Sequence, residues 1–273
     1  MGDFSAEVIS HIDRAHIRGL LDRGERSDGR KFDEYRKIEI QTGVVSAKAE
    51  GSAIAKIGNT SVIAGVKVVP GEPYPDSPDE GVVMISAEMA PIASPFFEIG
   101  PPSEGAIELA RVVDRGIREA EMIDSKKLNI EGGKKVYMIF CDLYTLEHDG
   151  NLIDACSIAA VAALLDTKFP EMRLEGTELV PTGNMLRVPI QNLPIEVTMS
   201  KIGDHLIVDP ILKEEMVQDC RLTLSVDEQD NFTAIQKGGG VGTLSLRMIE
   251  DAMDMALRKS KEIRAFVQDA AKG

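Results

Sequence analysis

The sequence lacks several features that would each indicate a particular class of protein. No apolar run reaches the roughly 18 residues that a membrane-spanning helix needs. The 3 cysteines and 4 histidines are too widely spaced for a zinc site, and an odd number of cysteines does not suit a disulfide framework. Acids stand near the N-terminus where a secretory signal peptide would carry bases. We therefore expect a cytoplasmic protein with buried free thiols and no membrane partner.

An excess of positive charge is also missing. The chain has 45 acidic and 31 basic residues among its 273, which gives a formal net charge of −14. The overall field of such a chain disfavours binding to nucleic acid. Any contact with nucleic acid must therefore come from a local basic patch, or from a partner that supplies the positive charge.

The pattern that is present contains many β-strands. Two turn signals, Gly58-Asn59 and Gly203-Asp204, each lie between two β-type runs and predict hairpins. Both signals follow a Lys-Ile pair, so the two halves of the chain resemble each other at this point. Further strands are predicted at residues 37–44, 82–89, 135–146, 221–226 and 232–236.

Helices alternate with these strand clusters. They are predicted at about residues 5–23, 103–123, 152–165, 212–217 and 243–270, with Ser5 and Ser103 as candidate N-caps. The third is so apolar and rich in small residues that it must be buried on most sides. Residues 166–185 are predicted to form a connector. This order predicts an α+β fold, divided into an N-terminal helical extension (1–30), a first half (31–170) and a second half that ends in a long helix (190–273).

Three arginines lie on one face of the second predicted helix. Arg111, Arg115 and Arg118 stand at i, i+4 and i+7, so their guanidinium groups could bind successive phosphates. The residues alone favour another interpretation, a solvated face with salt bridges. Three acids, Glu108, Asp114 and Glu119, are each three or four residues from an arginine.

Two other segments could support chemistry, although a structural interpretation is favoured for both. His148-Asp149-Gly150 could transfer protons, but it is also an ordinary turn in which Asn151 would cap the following helix. The glycine-rich segment 238–242 could hold an anion at the start of the last helix. We favour a close-packed turn there, with Thr243 or Ser245 as the cap.

The acids Glu214, Glu215 and Asp219 form a fourth candidate site. Clustered carboxylates can bind magnesium or act as a general acid. The favoured interpretation is the solvent-facing side of a short helix.

Three further motifs accompany the first hairpin and the arginine-bearing helix. They are Arg26-Ser27-Asp28-Gly29-Arg30, Val208-Asp209-Pro210 with the acids Glu214, Glu215 and Asp219, and Gln236-Lys237-Gly238-Gly239-Gly240. Together these motifs resemble the RNase PH family, and more narrowly the non-catalytic RNase PH-like subunits of the archaeal exosome core. The resemblance covers nearly the whole chain. It implies the RNase PH-like fold, with tandem β-strand/helix units of the ribosomal protein S5 domain 2-like type and an N-terminal helical extension.

The resemblance also implies a chemistry, in which inorganic phosphate attacks the last 3′ phosphodiester of RNA and releases a nucleoside diphosphate. Active members hold that phosphate with a Gly-Gly-Thr-Arg-like segment and use two aspartates. This chain has Asn151-Leu152-Ile153 in place of the phosphate-holding segment. It has Lys213 in place of the first aspartate and Asp219 in place of the second. Aliphatic side chains cannot donate hydrogen bonds, and a lysine cannot replace an acid as a metal ligand.

The resemblance therefore implies that this chain has no catalytic residue, binds no cofactor or metal, and is inactive alone. Phosphate, with magnesium as a candidate ion, would be used at the active site of a catalytic RNase PH-like partner. The implied assembly is a trimer of heterodimers that degrades single-stranded RNA from its 3′ end. Its cap proteins carry S1/KH or S1/zinc-ribbon domains, and Arg111, Arg115 and Arg118 line its RNA path. An autonomous phosphorolytic exoribonuclease of the RNase PH type is the alternative.

Overall fold

The computed structural model describes residues 11–45, 47–176 and 178–272. Within these ranges the chain forms five α-helices, twelve β-strands and a short 3-10 helix at Ser125–Leu128. The helices are α1 (His11–Leu21), α2 (Glu104–Glu119), α3 (Leu152–Asp166), α4 (Leu212–Val217) and α5 (Leu246–Ala270). The strands are β1 (Ile38–Thr42), β2 (Gly51–Ile57), β3 (Thr60–Gly71), β4 (Val82–Met89), β5 (Asn129–Glu131), β6 (Lys135–Glu147), β7 (Lys168–Glu175), β8 (Glu178–Arg187), β9 (Ile195–Ile202), β10 (His205–Val208), β11 (Cys220–Val226) and β12 (Phe232–Gly238).

The first sheet contains six strands in the order β1-β2-β3-β6-β4, with β5 on the end of β6. All its pairs are antiparallel except β4 with β6. The predicted hairpin at Gly58-Asn59 is confirmed, because Ile57 pairs with Thr60 and Gly58 has a φ of +58°. A glycine adopts this left-handed conformation at little steric cost.

The second sheet has four antiparallel strands in the order β10-β9-β11-β12. Its hairpin at Gly203-Asp204 is confirmed in the same way, with Ile202 opposite His205 and a φ of +62° at Gly203. The two-residue turns of both hairpins were therefore readable from local sequence alone.

A layer of helices lies between the two sheets, as the α+β prediction requires. Helix α3 contacts β2, β3 and β6 on one side and β9 on the other, and every residue from Leu152 to Leu164 is buried. Small residues permit this close packing. A Cβ atom on Gly51 would lie 2.6 Å from the carbonyl oxygen of Ala163. Helices α2 and α5 flank α3 in the same layer.

The predicted connector at residues 166–185 is wrong. Strands β7 and β8 form a separate two-stranded ribbon there, with Lys168 opposite Arg187. Most of its residues are exposed or only partly buried, so the sequence shows no alternating apolar face. Pro170 and Pro181 added to the impression of a loop, although a ribbon with two free edges tolerates proline.

The N-terminal helical extension is confirmed in α1. Ile17 and Leu21 of this helix are buried against Ile202, Ile207 and Val217, which form a second, smaller core. The predicted cap at Ser5 lies outside the described residues. No helix in the described ranges is long and apolar enough to cross a membrane.

Candidate functional site

Helix α2 presents the three arginines on one exposed face. The Oγ of Ser103 accepts a hydrogen bond from the Ala106 backbone N–H at 3.2 Å, so the predicted N-cap is confirmed. The opposite face of α2 is buried and holds Ala106, Leu109, Val112, Val113, Gly116 and Ile117. Because this face is fixed in the core, the side chains of Arg111, Arg115 and Arg118 are directed to solvent, where all three are exposed.

The three arginines differ in their charge partners. Arg118 forms an ion pair with Asp114 at 2.8 Å and also donates to the Val83 carbonyl at 3.2 Å. The hydrogen bond that Arg118 donates to the Asp114 carboxylate raises the pKa of Arg118, and the ion pair largely compensates its charge. Arg111 and Arg115 have no hydrogen bond or ion pair with any part of the chain that the structure describes.

The salt-bridged interpretation of this face therefore holds for Arg118 alone. Glu108, which could have paired with Arg111 at i+3, instead accepts a hydrogen bond from Arg221 at 2.6 Å. Gln236 of β12 lies 3.5 Å from the same carboxylate oxygen. The result is a local patch with two uncompensated guanidinium groups on an acidic chain.

The segment from His148 to Gly150 is a tight turn against the core, as the structural interpretation predicts. The ring of His148 is buried and stacks on Phe97 with the ring centroids 5.5 Å apart. Burial lowers the pKa of His148 to about 4, so the imidazole is neutral at physiological pH. The carbonyl of Gly150 accepts a hydrogen bond from the Thr60 hydroxyl at 2.6 Å.

Asn151 occupies the N-cap position of α3, but its side chain makes no capping hydrogen bond. The predicted cap is thus wrong in its contact. The residue adopts a left-handed φ of +54°, and its Nδ2 donates to Asp154 at 2.9 Å and to Asp209 at 2.8 Å. The backbone N–H of Asn151 donates to Oε1 of Glu215 at 2.7 Å.

The start of α3 consequently offers an external anion neither the N–H of Asn151 nor a polar side chain at positions 152 and 153. Helix N-termini bind anions through free backbone N–H groups, but a carboxylate of the chain itself already occupies the N–H of Asn151. Leu152 and Ile153 are buried, with exposures of 7% and 6%, and they have no polar atoms in their side chains. Burial raises the pKa of Glu215 to about 7.

The favoured interpretation of the acid cluster, a solvent-facing side of a short helix, is wrong. Glu214 is 1% exposed and pairs with Arg26 at 2.6 Å, while its carboxylate also accepts the Ile211 backbone N–H. Asp219 pairs with Arg18 at 2.7 Å and accepts the Gly203 backbone N–H. The carboxylates of Glu214 and Asp219 are thus engaged in contacts within the chain, while Lys213 is exposed.

Asp209 lies at the centre of a buried ion-pair network that sequence reasoning did not assign. Its carboxylate accepts hydrogen bonds from Arg30 at 2.8 Å, from Arg36 at 2.7 and 2.9 Å, and from Asn151. Arg26 donates to the Asp209 carbonyl at 2.9 Å. The signal was visible, because Arg26, Arg30 and Asp209 belong to two of the quoted motifs, but their partnership spans more than 170 residues.

The glycine-rich segment forms a close-packed turn, as the favoured interpretation states. Cβ atoms on Gly240 and Gly242 would lie 2.4 and 2.6 Å from the Asp219 carbonyl oxygen. The cap of α5 is Ser245, whose Oγ accepts the Met248 backbone N–H at 3.2 Å. In the described residues, no group of three or more His, Cys, Asp or Glu side chains could hold a metal ion.

Comparison with known proteins fits this architecture. The model for domain 1 of the 3′ exoribonuclease family (RNase PH) matches residues 34–170, and the model for domain 2 matches residues 192–259. The chain belongs to the 3′ exoribonuclease family. The RNase PH-like fold expected from the motifs is therefore confirmed.

Relatives of this 3′ exoribonuclease family chain include exosome components. It is 48% identical over 266 residues to the exosome complex component Rrp42 of Thermococcus gammatolerans, with 97% of both chains covered. It is also 48% identical over 260 residues to exosome complex component Rrp42 of Methanocella arvoryzae, with 95% of this chain and 97% of the relative covered.

Several solved structures share the fold. A chain of the Archaeoglobus fulgidus exosome with RNA bound to the active site matches with a TM-score of 0.85 and 45% identity, covering 93% of this chain and 97% of that one. A chain of an archaeal exosome core matches with a TM-score of 0.83 and 43% identity, covering 94% and 96%. Rice Rrp46, at a TM-score of 0.68, 18% identity and coverage of 90% and 100%, supports the fold alone.

Proposed function

We propose that this chain is a non-catalytic subunit of an archaeal exosome ring, which helps a catalytic RNase PH-like partner degrade RNA from its 3′ end. The similarity to exosome complex components along almost the full length of both chains supports membership of the complex. The observation that best supports the non-catalytic role is the arrangement of residues at the start of α3.

That arrangement leaves no clamp for an attacking phosphate. Phosphorolysis needs several donors that converge on one anion. Here the side chains of Leu152 and Ile153 offer none, and the backbone N–H of Asn151 already donates to Glu215. Asp219, which stands at the second of the two aspartates of active members, pairs with Arg18, and its Oδ2 lies 3.6 Å from Nζ of Lys201. The chain therefore contributes to RNA degradation through its partner's chemistry.

Its own contribution is the arginine face of α2. Arg111 and Arg115 are exposed and uncompensated, so they can contact the phosphates of an RNA strand that leads to the partner's active site. Arg118, whose charge is shared with Asp114, contributes less. Contacts to phosphates carry no base information, so binding along this face is independent of sequence.

The proposal includes the assembly in which these contacts operate. In the cytoplasm, this chain pairs with the catalytic subunit, and three such heterodimers form a ring. Cap proteins with S1/KH or S1/zinc-ribbon domains lie on one face of the ring. Inorganic phosphate, with magnesium as a candidate ion, is used at the partner's active site. An archaeal exosome with RNA in its active site is among the structures similar to this chain.

One reconstitution tests both parts of the proposal. The chain alone, given phosphate and a single-stranded RNA, should release no nucleoside diphosphate, whereas the ring with its catalytic partner should. In the ring, the double variant Arg111→Ala/Arg115→Ala should bind RNA about thirtyfold more weakly at low salt, because each exposed contact contributes about 1 kcal/mol. The slope of log affinity against log salt should fall by about 1.4.

Arg14→Ala is the matched control, since Arg14 is an exposed arginine on α1 and should leave RNA affinity unchanged. Turnover by the chain alone would support an autonomous exoribonuclease. If RNA affinity and its salt dependence are unaltered in the double variant, the chain has only a structural role in the ring and does not contact RNA through α2.

A further inference from the structure

We propose that Arg221 is a positioning residue for RNA binding, because it holds Glu108 away from Arg111 and so keeps the Arg111 guanidinium available to phosphate. This inference rests on the proposed function, in which Arg111 contacts RNA. It assigns a role to a residue of β11 that lies outside the arginine face of α2.

The helix itself would place Glu108 on Arg111. Residues at i and i+3 are neighbours on a helix surface, and opposite charges at this spacing attract. Glu108 instead turns toward the second sheet, where its Oε1 lies 2.6 Å from an Nη atom of Arg221 and 3.5 Å from Nε2 of Gln236. Both partners come from adjacent strands, β11 and β12.

Gly238 makes room for this contact. It lies directly opposite Arg221 in the sheet register. A Cβ atom on Gly238 would be 2.9 Å from an Nη atom of Arg221 and 3.1 Å from Oε1 of Glu108. The Arg221 side chain is 15% exposed, whereas that of Glu108 is 43% exposed. The arginine is thus the fixed member of the pair, and it holds the more exposed acid.

The second acid near Arg111 is controlled in a similar way. Asp114 stands three residues after Arg111, and it pairs with Arg118 at 2.8 Å. Both acids that could neutralise Arg111 are therefore engaged by other arginines. The electrostatic consequence is that the Arg111 guanidinium stays available to an RNA backbone although acids lie three residues away on either side.

Arg221 has a second charged neighbour, which the experiment must separate from the first. Burial raises the pKa of Glu215 to about 7, and the positive charge of Arg221 acts against this rise. A loss of RNA affinity in an Arg221 variant could therefore arise through Glu215 and the start of α3. Only an effect that acts through Glu108 can be reversed by neutralising Glu108.

The test measures equilibrium binding of a labelled single-stranded RNA oligomer to the ring reconstituted with its catalytic partner. The buffer is free of phosphate, so that the RNA is not consumed. Arg221→Met should weaken binding about twofold to fivefold at low salt, the size expected when an exposed ion pair competes for one guanidinium. Arg221→Met/Glu108→Gln should restore the affinity to within about twofold of the unmodified ring.

Two further variants should fold whatever happens to Arg221→Met. Arg221→Lys retains the charge and should preserve affinity. Glu108→Gln alone should change affinity by less than about twofold, because Glu108 is already engaged by Arg221. Glu108→Gln alone could instead strengthen RNA binding by as much as Arg221→Met weakens it. That result would mean that Glu108 neutralises Arg111 in the native ring, and it would overturn the inference.

The inference is also overturned if Arg221→Met binds RNA normally, or if its loss persists in the double variant with Glu108→Gln. Arg111→Ala in the same assay separates the two proposals. If Arg111→Ala leaves RNA affinity unchanged, the proposed function itself is contradicted. A clear effect of Arg111→Ala without the Glu108 rescue contradicts the positioning role alone.

Discussion

Replacing Asp209 by asparagine would test the buried ion-pair network that joins the N-terminal motif to the second half of the chain. Asp209 is fully buried and accepts hydrogen bonds from Arg30, Arg36 and Asn151. Its φ of +45° is left-handed, a conformation that asparagine adopts as readily as aspartate. The substitution therefore removes the charge and one acceptor oxygen without adding backbone strain.

The expected loss is large because two buried cations lose their counter-ion. The side chains of Arg30 and Arg36 are only 10% and 9% exposed, and removal of one partner from a buried ion pair costs about 3–5 kcal/mol. That is a substantial part of the 5–15 kcal/mol by which a domain is typically stable. The midpoint of thermal unfolding should fall by roughly 6–20 °C.

The loss should also depend on pH. Burial alone would raise the pKa of Asp209, but the hydrogen bonds and charges of Arg36 and Arg30 outweigh burial and hold the pKa below its usual value. A depressed carboxyl pKa stabilises the fold above the unfolded-state pKa of about 3.9, and the contribution disappears as the pH falls through the folded-state value. The difference in unfolding free energy between the two proteins should therefore be constant near neutral pH and shrink below about pH 4.

The assay is thermal and urea unfolding of the purified chain at several pH values, followed by circular dichroism. Asp204→Asn is the matched control, since Asp204 is an exposed acid in the second hairpin and should change stability by less than about 0.5 kcal/mol. A loss of under 1 kcal/mol in Asp209→Asn, or a loss that does not shrink in acid, would refute the account of this network.

Two other substitutions probe the core. Glu196 is 2% exposed, and burial followed by the charge of Asp154 raises its pKa to about 8; the folded chain then binds a proton that the unfolded chain releases above about pH 4.3. The stability of the native protein should therefore fall relative to Glu196→Gln by up to about 1.4 kcal/mol per pH unit between pH 5 and 8, and parallel unfolding profiles for the two proteins would contradict this. Gly150 has a φ of +87°, and a Cβ atom there would lie 2.4 Å from the Pro210 carbonyl oxygen, so Gly150→Ala should cost more than about 2 kcal/mol. Gly133→Ala has a similar φ of +71° but open space and should cost about 1 kcal/mol; equal losses of thermal stability would show that the packing argument is wrong.

The hairpins and the central helix were predictable because their signals are local. Gly58-Asn59 and Gly203-Asp204 each specify a two-residue turn, and the apolar sequence of α3 requires burial on both sides. The ribbon of β7 and β8 was not predictable in the same way. Its strands bury little surface, so no apolar alternation marks them.

The placement of the three arginines on one helix face was predictable from the sequence, but their pairings were not. Helical periodicity places Arg111, Arg115 and Arg118 on one face, and the structure shows that face. Periodicity could not show that Glu108 would pair with Arg221, a residue 113 positions away. Glu214 was likewise taken for a surface acid because its partner, Arg26, lies 188 residues away.

The contact between Glu215 and the backbone N–H of Asn151 also bears on attempts to build a phosphate site at the start of α3. Grafting a threonine and an arginine onto positions 152 and 153 would supply donors, yet the resident carboxylate would still compete for the same cradle. A competitor that the fold holds in place has a high effective concentration, and dissolved phosphate must displace it at every turnover. A redesign would have to replace Glu215 with a residue lacking a negative charge before any grafted donor could act.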